Sequence, residues 1–504
     1  MIKKSYDIVI IGGGINGCGL AADAALRGLK VLLIEADDLA SKTSSASSQL
    51  IHGGLRYLEQ YDFALVRKSL QERKTLLKVA KHLVRPLPIV LPYHNHRRNN
   101  WWLRLGLFVY DHLVWSTGLP VSQTLSTKKD TDDLLTPLHS KIQDGYLFYD
   151  CKTDDARLTI TNALQAKRHG AEVLTHTRLL EGKASNSQWT LTLQSATSTY
   201  TVNTTAVINA AGPWVNQVNH CLSIAAPRSL TLVKGSHIVV KKWYSGQQAY
   251  LLQQSDNRIV FVVPYCDNFV FIGTTEITLK NIPQNLSISP EEIDYLLQSV
   301  TPYFKQSLTT ADIIHSWSGI RPLAAQDHTD LHHNPSILPR GYVIHQANHP
   351  APALLIYGGK ITTYRQLAEE SIDCLQPLFP DLPRSHTAST PLPGSDLPDK
   401  ISWENYQKHI QERFAWLEMP TLQRLLNQYG TRVEWLLRDC ATVNDLGFHF
   451  GQGLYEKEVL YLYHQEWATT AEDILWRRTH LGLFLSETEK TLLASYLGKL
   501  SAQP

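Results

Sequence analysis

The chain has 504 residues, of which 43% are apolar and 19% charged, and its formal net charge is +2. That length suits roughly three domains of about 150 residues, and the composition excludes global disorder. The charge is too small for nucleic-acid binding by overall field, so any electrostatic function must come from local clusters. Six scattered cysteines, with no CxxC pair, argue against a disulfide framework or a metal site and fit a reducing compartment. Residues 1–6 lack a signal peptide's apolar core. No uninterrupted apolar run reaches the roughly 18 residues of a spanning helix. A cytoplasmic catalytic part is expected, with attachment to a membrane surface left open.

The first element is a strand with a glycine turn, Tyr6 to Gly19. Ile8 to Ile11 read as a buried parallel strand, and GxGxxG comes directly after it. Gly12 suits the tight turn, Gly14 the approach of a pyrophosphate, and Gly17 close packing of helix on strand. The alanine-rich helix from Leu20 to Arg27 aims its N-terminal amides at that phosphate. Val31 to Ile34 make the second strand, and Glu35 closes it at the distance expected for a ribose hydroxyl. Strand, helix, second strand and terminal acid together indicate dinucleotide binding.

The residues beyond Glu35 favour FAD over NAD. Residues 41–48 form a serine-rich run, ordinarily just a loop, which after Glu35 can offer Ser44, Ser45 and Ser48 to a long cofactor. It leads to His52, Gly53 and Gly54. Two further strand–turn units, one around Ala211 and Gly212 and one over Gly358 to Tyr364, suit close approach to a flavin. In the second, the amides near Gly359, Lys360 and Thr362 can meet the ring edge where negative charge develops on reduction.

Between these units, residues 97–110 pair Trp101 and Trp102 with large apolar residues and flanking arginines. That pattern fits either a bilayer interface or a buried helix with a basic edge. The stretch 228–274 reads as consecutive antiparallel strands. A helix is expected from Ser289, with Pro290 at its first position and Glu292 completing a capping box. Prolines crowd residues 381–400, a linker, and the Leu- and Trp-rich remainder reads as helical.

The chain resembles the FAD-dependent, quinone-linked aerobic glycerol-3-phosphate dehydrogenases. The resemblance is carried in order by GGGINGCG (12–19), IHGGLRYLE (51–59), DDAR (154–157), NAAGPWV (209–215), KGSHIVV (234–240), GTTE (273–276), GIRPL (319–323), GGKITTYR (358–365) and EDILWRRTHLGL (472–483). It implies an α/β fold: a discontinuous Rossmann-type FAD-binding domain of the glutathione-reductase kind, with an inserted antiparallel β-rich substrate domain and a C-terminal α-helical domain. The expected division is 1–380 for the oxidoreductase region, with the insertion mainly at 216–320, then the linker, then 401–504. Two positions depart from the family pattern: Gln49 stands in place of lysine, and Glu276 in place of aspartate.

The resemblance also implies oxidation of sn-glycerol 3-phosphate to dihydroxyacetone phosphate, with electrons passed to a membrane quinone. The protein would sit peripherally on the cytoplasmic face of the inner membrane, with a homodimer left open and no metal. Phosphate recognition favours arginine, so Arg56 and Arg321 are the expected ligands, with Tyr57 and Lys360 as helpers. His237 is the expected general base, and Lys234 the group that holds the substrate oxygen or lowers the alcohol's pKa. Strand alternation puts positions 234 and 237 on opposite faces unless Gly235 turns the chain. Thr275, Thr274 and Tyr265 are further lining candidates. An oxidase that hands its electrons to oxygen, and a flavin-binding sensor without turnover, are the alternatives.

Overall fold

A computed structural model describes residues 4–55, 62–93, 100–115, 117–128, 133–324, 341–348, 350–398 and 401–502. Two large sheets carry the architecture. In the first, the strands run in the order Tyr342–Ala347, Ala353–Gly358, Thr199–Asn209, Ser5–Ile11, Val31–Ile34 and Glu172–Leu174. All neighbours are parallel except the first pair. Val31–Ile34 is buried at every position, as expected of a parallel strand covered on both faces. Helix Ile15–Leu26 and helix Asp155–Arg168 cover one face, with Ile8, Ala21, Ile160 and Leu354 in a shared core. This is the expected Rossmann-type layer.

The second sheet is largely antiparallel. Leu230–Lys241, Phe269–Gly273, Ile259–Tyr265 and Ala249–Gln253 lie side by side, and Ile313–Ala324 runs along the other edge of Leu230–Lys241. The sheet continues through Arg85–Tyr93 and Asp144–Lys152, so residues far before 216 help to build it. Pro86, Pro88 and Pro92 strip donors from one side of Arg85–Tyr93. That strand joins Ala249–Gln253 only at Ile89 and Val90. Helix Pro290–Val300 begins with the capping box expected at Ser289 and Glu292. Its Leu296 and Val300 pack beneath Ile238, Val262 and Ile272.

Residues 381–398 form neither helix nor strand, yet Leu382 and Leu392 are buried and the Leu392 N–H donates to the Val79 carbonyl at 2.8 Å. Beyond them, helices Trp403–Arg413, Met419–Tyr429, Glu456–Glu466 and Glu487–Ser501 enclose a core of their own. A short ladder, His449–Gly451 with Leu454–Tyr455, joins them. This unit docks through buried charge. Arg478 forks onto Asp38 at 2.6 and 2.8 Å, Arg477 reaches the same carboxylate at 2.6 Å, and Arg157 pairs with Glu466.

Candidate active site

A continuous cavity of about 900 Å³ runs between the two sheets. Gly12 and Gly14 of the glycine turn line it together with Glu35, and so do His237, Arg321 and Lys360. The expected Ser44, Ser48, Gly54, Ala211, Gly212, Gly359 and Thr362 also line it. Gly17 does not, and its role is steric: a Cβ there would lie 1.8 Å from the Gly12 carbonyl oxygen. The Glu35 carboxylate accepts from the N–H groups of Gly13 at 2.6 Å and Asp37 at 2.9 Å. Burial raises its pKa against these bonds.

The serine run is a junction as much as a lining. The Ile15 N–H donates to Ser44 Oγ at 2.9 Å, and Thr43 donates to the Ile320 carbonyl at 2.7 Å. Ser47 donates through N and Oγ to Asp155, while Ser48 Oγ lies 3.0 Å from His237 Nε2. Ser45 is a correction: its hydroxyl turns back to the Lys42 carbonyl and is not among the cavity-lining residues. Gly53 is another. It is wedged where a Cβ would meet Leu70 at 2.4 Å and the Tyr110 hydroxyl at 2.6 Å, so it serves packing while Gly54 lines the cavity.

His237 is 2% exposed and stacks on Trp317 with ring centroids 5.1 Å apart. Burial, reinforced by the Arg321 charge, pulls its pKa down to about 3. Its ring is therefore a neutral imidazole at neutral pH. Leu230–Lys241 pairs with Ile313–Ala324 in even register from 230 to 239, so Gly235 introduces no turn and alternation holds. Lys234 accordingly points away from the cavity, to Glu292 at 2.7 Å. This corrects its expected place at the substrate.

Thr275 is corrected as well. Thr274 and Glu276 line the cavity, while Thr275 between them donates to Glu292 Oε1 at 2.6 Å. Tyr265 is not a lining residue either; it sits behind Trp317, with rings 5.6 Å apart. Arg56 and Tyr57 lie outside the described residues, as do Arg97, Arg98 and the side chains of Trp101 and Trp102. Of the two departures from the family pattern, Glu276 lines the cavity and Gln49 does not. Glu276 reaches Arg321 at 3.3 Å, and the Gln49 side chain lies near Tyr265. The apolar wall of Ile89, Phe148, Leu251 and Phe261 was missed: Leu251 and Phe261 lie in runs read only as strands, and no element was expected at Ile89 or Phe148.

The lining suits FAD. The cavity is of cofactor size, the N-terminus of Ile15–Leu26 faces it with the glycine turn, and the turn before Tyr364–Asp373 lines it beside them, where Asn16 Nδ2 donates to the Gly358 carbonyl at 3.1 Å.

Residues 7–365 match the FAD dependent oxidoreductase family, and residues 385–497 match the C-terminal domain of alpha-glycerophosphate oxidase. A glycerol-3-phosphate dehydrogenase of Pseudomonas aeruginosa is 47% identical over 500 residues, covering 98% of this chain and 96% of that one. D-erythritol 1-phosphate dehydrogenase of Brucella abortus is 41% identical, covering 98% of each. The solved glycerol-3-phosphate dehydrogenase of Bacillus halodurans, complexed with FAD, shares the fold with a TM-score of 0.77 at 24% identity. That match covers 99% of this chain and 94% of that one. With its glycine turn, its two-sheet cavity and these matches over nearly its whole length, the chain belongs to the glycerol-3-phosphate dehydrogenase family of FAD-dependent oxidoreductases.

Proposed function

We propose that the protein oxidises sn-glycerol 3-phosphate to dihydroxyacetone phosphate and passes the electrons to a membrane quinone. The observation that carries this reading is the meeting of His237 and Arg321 in the cavity that the glycine turn lines. Arg321 offers the substrate phosphate a planar fork of donors, and Lys360 adds a second cation on the cavity wall. Bound FAD supplies the two-electron oxidation; the protein groups orient the alcohol and take its proton. His237 Nδ1 is buried away from the cavity, so the proton arrives at Nε2, directly or through the Ser48 hydroxyl 3.0 Å away. A neutral ring has the vacancy for it.

Support for a membrane acceptor comes from helix Asn100–His112. Phe108 is 57% exposed, Leu105 42%, and Trp115 just beyond the helix 88%. Large apolar side chains clustered on one surface fit insertion into a lipid interface. Among the described residues, no helix is long and apolar enough to cross a membrane. The same reading puts the protein peripherally at the cytoplasmic face of the inner membrane.

The test is anaerobic mixing of the FAD-loaded protein with sn-glycerol 3-phosphate while flavin absorbance is monitored. Bleaching, then recovery on adding a soluble quinone, is the expected result. Recovery with oxygen and stoichiometric peroxide, but not with quinone, identifies an oxidase instead. Bleaching only by D-erythritol 1-phosphate moves the substrate to that of the Brucella relative, and no bleaching by either defeats the proposal.

A further inference from the structure

His480 comes from the C-terminal helical unit, in a segment for which the proposed reaction has no use, yet its side chain is only 12% exposed where it meets the catalytic sheet. Its Nε2 lies 2.7 Å from Asp154 Oδ2 and its Nδ1 3.0 Å from the Tyr265 hydroxyl. Its backbone is left-handed, with φ +57° and ψ 13°. A residue with a Cβ adopts that conformation at a cost, and it persists where the surroundings impose it. Here both ring nitrogens are engaged. Burial alone would strip the ring of its proton, but Asp154 and Asp155 outweigh burial and the opposing Arg157, and its pKa is raised.

Two arms run from this imidazole to His237. Along the first, Tyr265 packs on Trp317, and Trp317 stacks on the face of the His237 ring at an interplanar angle of 20°. Along the second, Asp154 caps helix Asp155–Arg168. The first residue of that helix, Asp155, holds Ser47 by N at 2.9 Å and by Oγ at 2.7 Å. The next residue, Ser48, holds His237 Nε2. The face and the reactive nitrogen of His237 are thus set by two elements that meet at one side chain.

We propose that His480 is a positioning residue for His237, through which the C-terminal unit fixes the aromatic wall and the serine loop that seat the active-site ring. Docking does not depend on it, because Asp38 with Arg477 and Arg478, and Arg157 with Glu466, hold the unit in place. The effect on turnover rests on the reading of His237 as proton acceptor; the effect on the ring itself does not.

The test uses FAD-loaded full-length protein with His480→Ala, His480→Gln and Tyr265→Phe, and Leu493→Ala in the C-terminal core as a control. His237 is monitored by NMR of ring-labelled histidine, its signal assigned by its loss in His237→Asn. Flavin reduction is measured by stopped flow. His480→Ala is expected to slow reduction about ten- to hundred-fold, as misplacement of a reacting group does, with little change in KM. The His237 pKa should rise from its depressed value as the wall loosens. Gln keeps a donor for Asp154 and offers its amide oxygen to the Tyr265 hydroxyl, which can donate as well as accept, so His480→Gln should recover most of the rate. Tyr265→Phe should show a similar loss that does not add to that of His480→Ala.

An unchanged rate and an unchanged His237 signal in His480→Ala overturn the proposal. So does a loss reproduced by Leu493→Ala, which would mark mere destabilisation. If His480→Ala does not fold, a normal rate in Tyr265→Phe overturns it instead. Should native protein be bleached by no polyol phosphate, the proposed reaction fails, while the His237 signal still decides the role of His480.

Discussion

Lys234 Nζ and Glu292 Oε2 lie 2.7 Å apart on the face of Leu230–Lys241 opposite His237. One strand thus divides catalytic from supporting chemistry by parity. Ser236 and Thr275 donate to the other oxygen of the same carboxylate, so Glu292 is the centre of a buried polar cluster. Burial pushes its carboxyl up, but the hydrogen bonds from Lys234 and Thr275 outweigh that and its pKa is lowered. A depressed carboxylate stabilises the fold above its ordinary value and loses that contribution as pH falls through its folded one.

Glu292→Gln is therefore expected to lower stability by about 3–5 kcal/mol at pH 7, by stranding Lys234. The deficit should shrink in acid. Melting temperature against pH, in native and variant protein, checks this. Lys234→Met should likewise lower stability while leaving the flavin-reduction rate of the folded fraction near native. A selective loss of rate at unchanged stability would return Lys234 to the substrate site.

Arg321→Gln removes a charged donor group from the cavity. Such contacts are worth about 1.5–3 kcal/mol, so KM for the phosphorylated substrate should rise roughly ten- to a hundred-fold, with FAD content unchanged. Arg321→Lys should restore little, because the planar fork is lost. Steady-state kinetics with a flavin assay decide it; an unchanged KM removes Arg321 from phosphate binding.

Gly17→Ala places a methyl group 1.8 Å from a backbone carbonyl oxygen. The helix must shift from the turn to admit it, and the phosphate-facing amides move with it. Purified variant protein should carry little or no FAD. A yellow variant with native FAD stoichiometry would show that the turn tolerates the displacement.

Asp38→Asn leaves Arg477 and Arg478 without their shared carboxylate, and Arg478 is fully buried. Loss of one partner from such a cluster costs about 3–5 kcal/mol. Asp38 lies three positions after Glu35 and next to the cavity-lining Asp37, so the damage should show twice: faster proteolysis between residues 381 and 400, and faster release of FAD on dilution. Native behaviour in both assays would mean that the remaining contacts hold the C-terminal unit alone.

Leu105→Glu with Phe108→Glu should reduce co-sedimentation with anionic vesicles several-fold, while flavin reduction by substrate is unaffected. Equal binding of the double variant would exclude this helix as the lipid-facing surface.

The glycine turn, the capped helix at Ser289 and the strands of 230–273 were legible because local rules determine them: a tight turn, a capping box and alternation. Alternation also separated His237 from Lys234, but Thr274, Thr275 and Glu276 lie between strands, where that rule gives no facing and Thr275 could not be told from its neighbours. Gly53 and Gly54 look alike in sequence; only the packing of Leu70 and Tyr110 tells them apart. Arg85–Tyr93 escaped notice because three prolines hide a strand that hardly pairs on one side. The grip of Arg478 on Asp38 spans 440 positions, and no local pattern announces a partner at that distance.

The interleaving of the two sheets governs how the molecule can be made. Thr199–Asn209 waits for Ala353–Gly358 before its outer edge is covered, and Arg85–Tyr93 waits for Ala249–Gln253. On a ribosome adding about 5–20 residues per second, neither layer can close in the order in which the chain emerges. Apolar strand edges must stay shielded until residue 358 has left the exit tunnel. Nascent chains stalled before that point should engage holdase chaperones, and those stalled well beyond it should not.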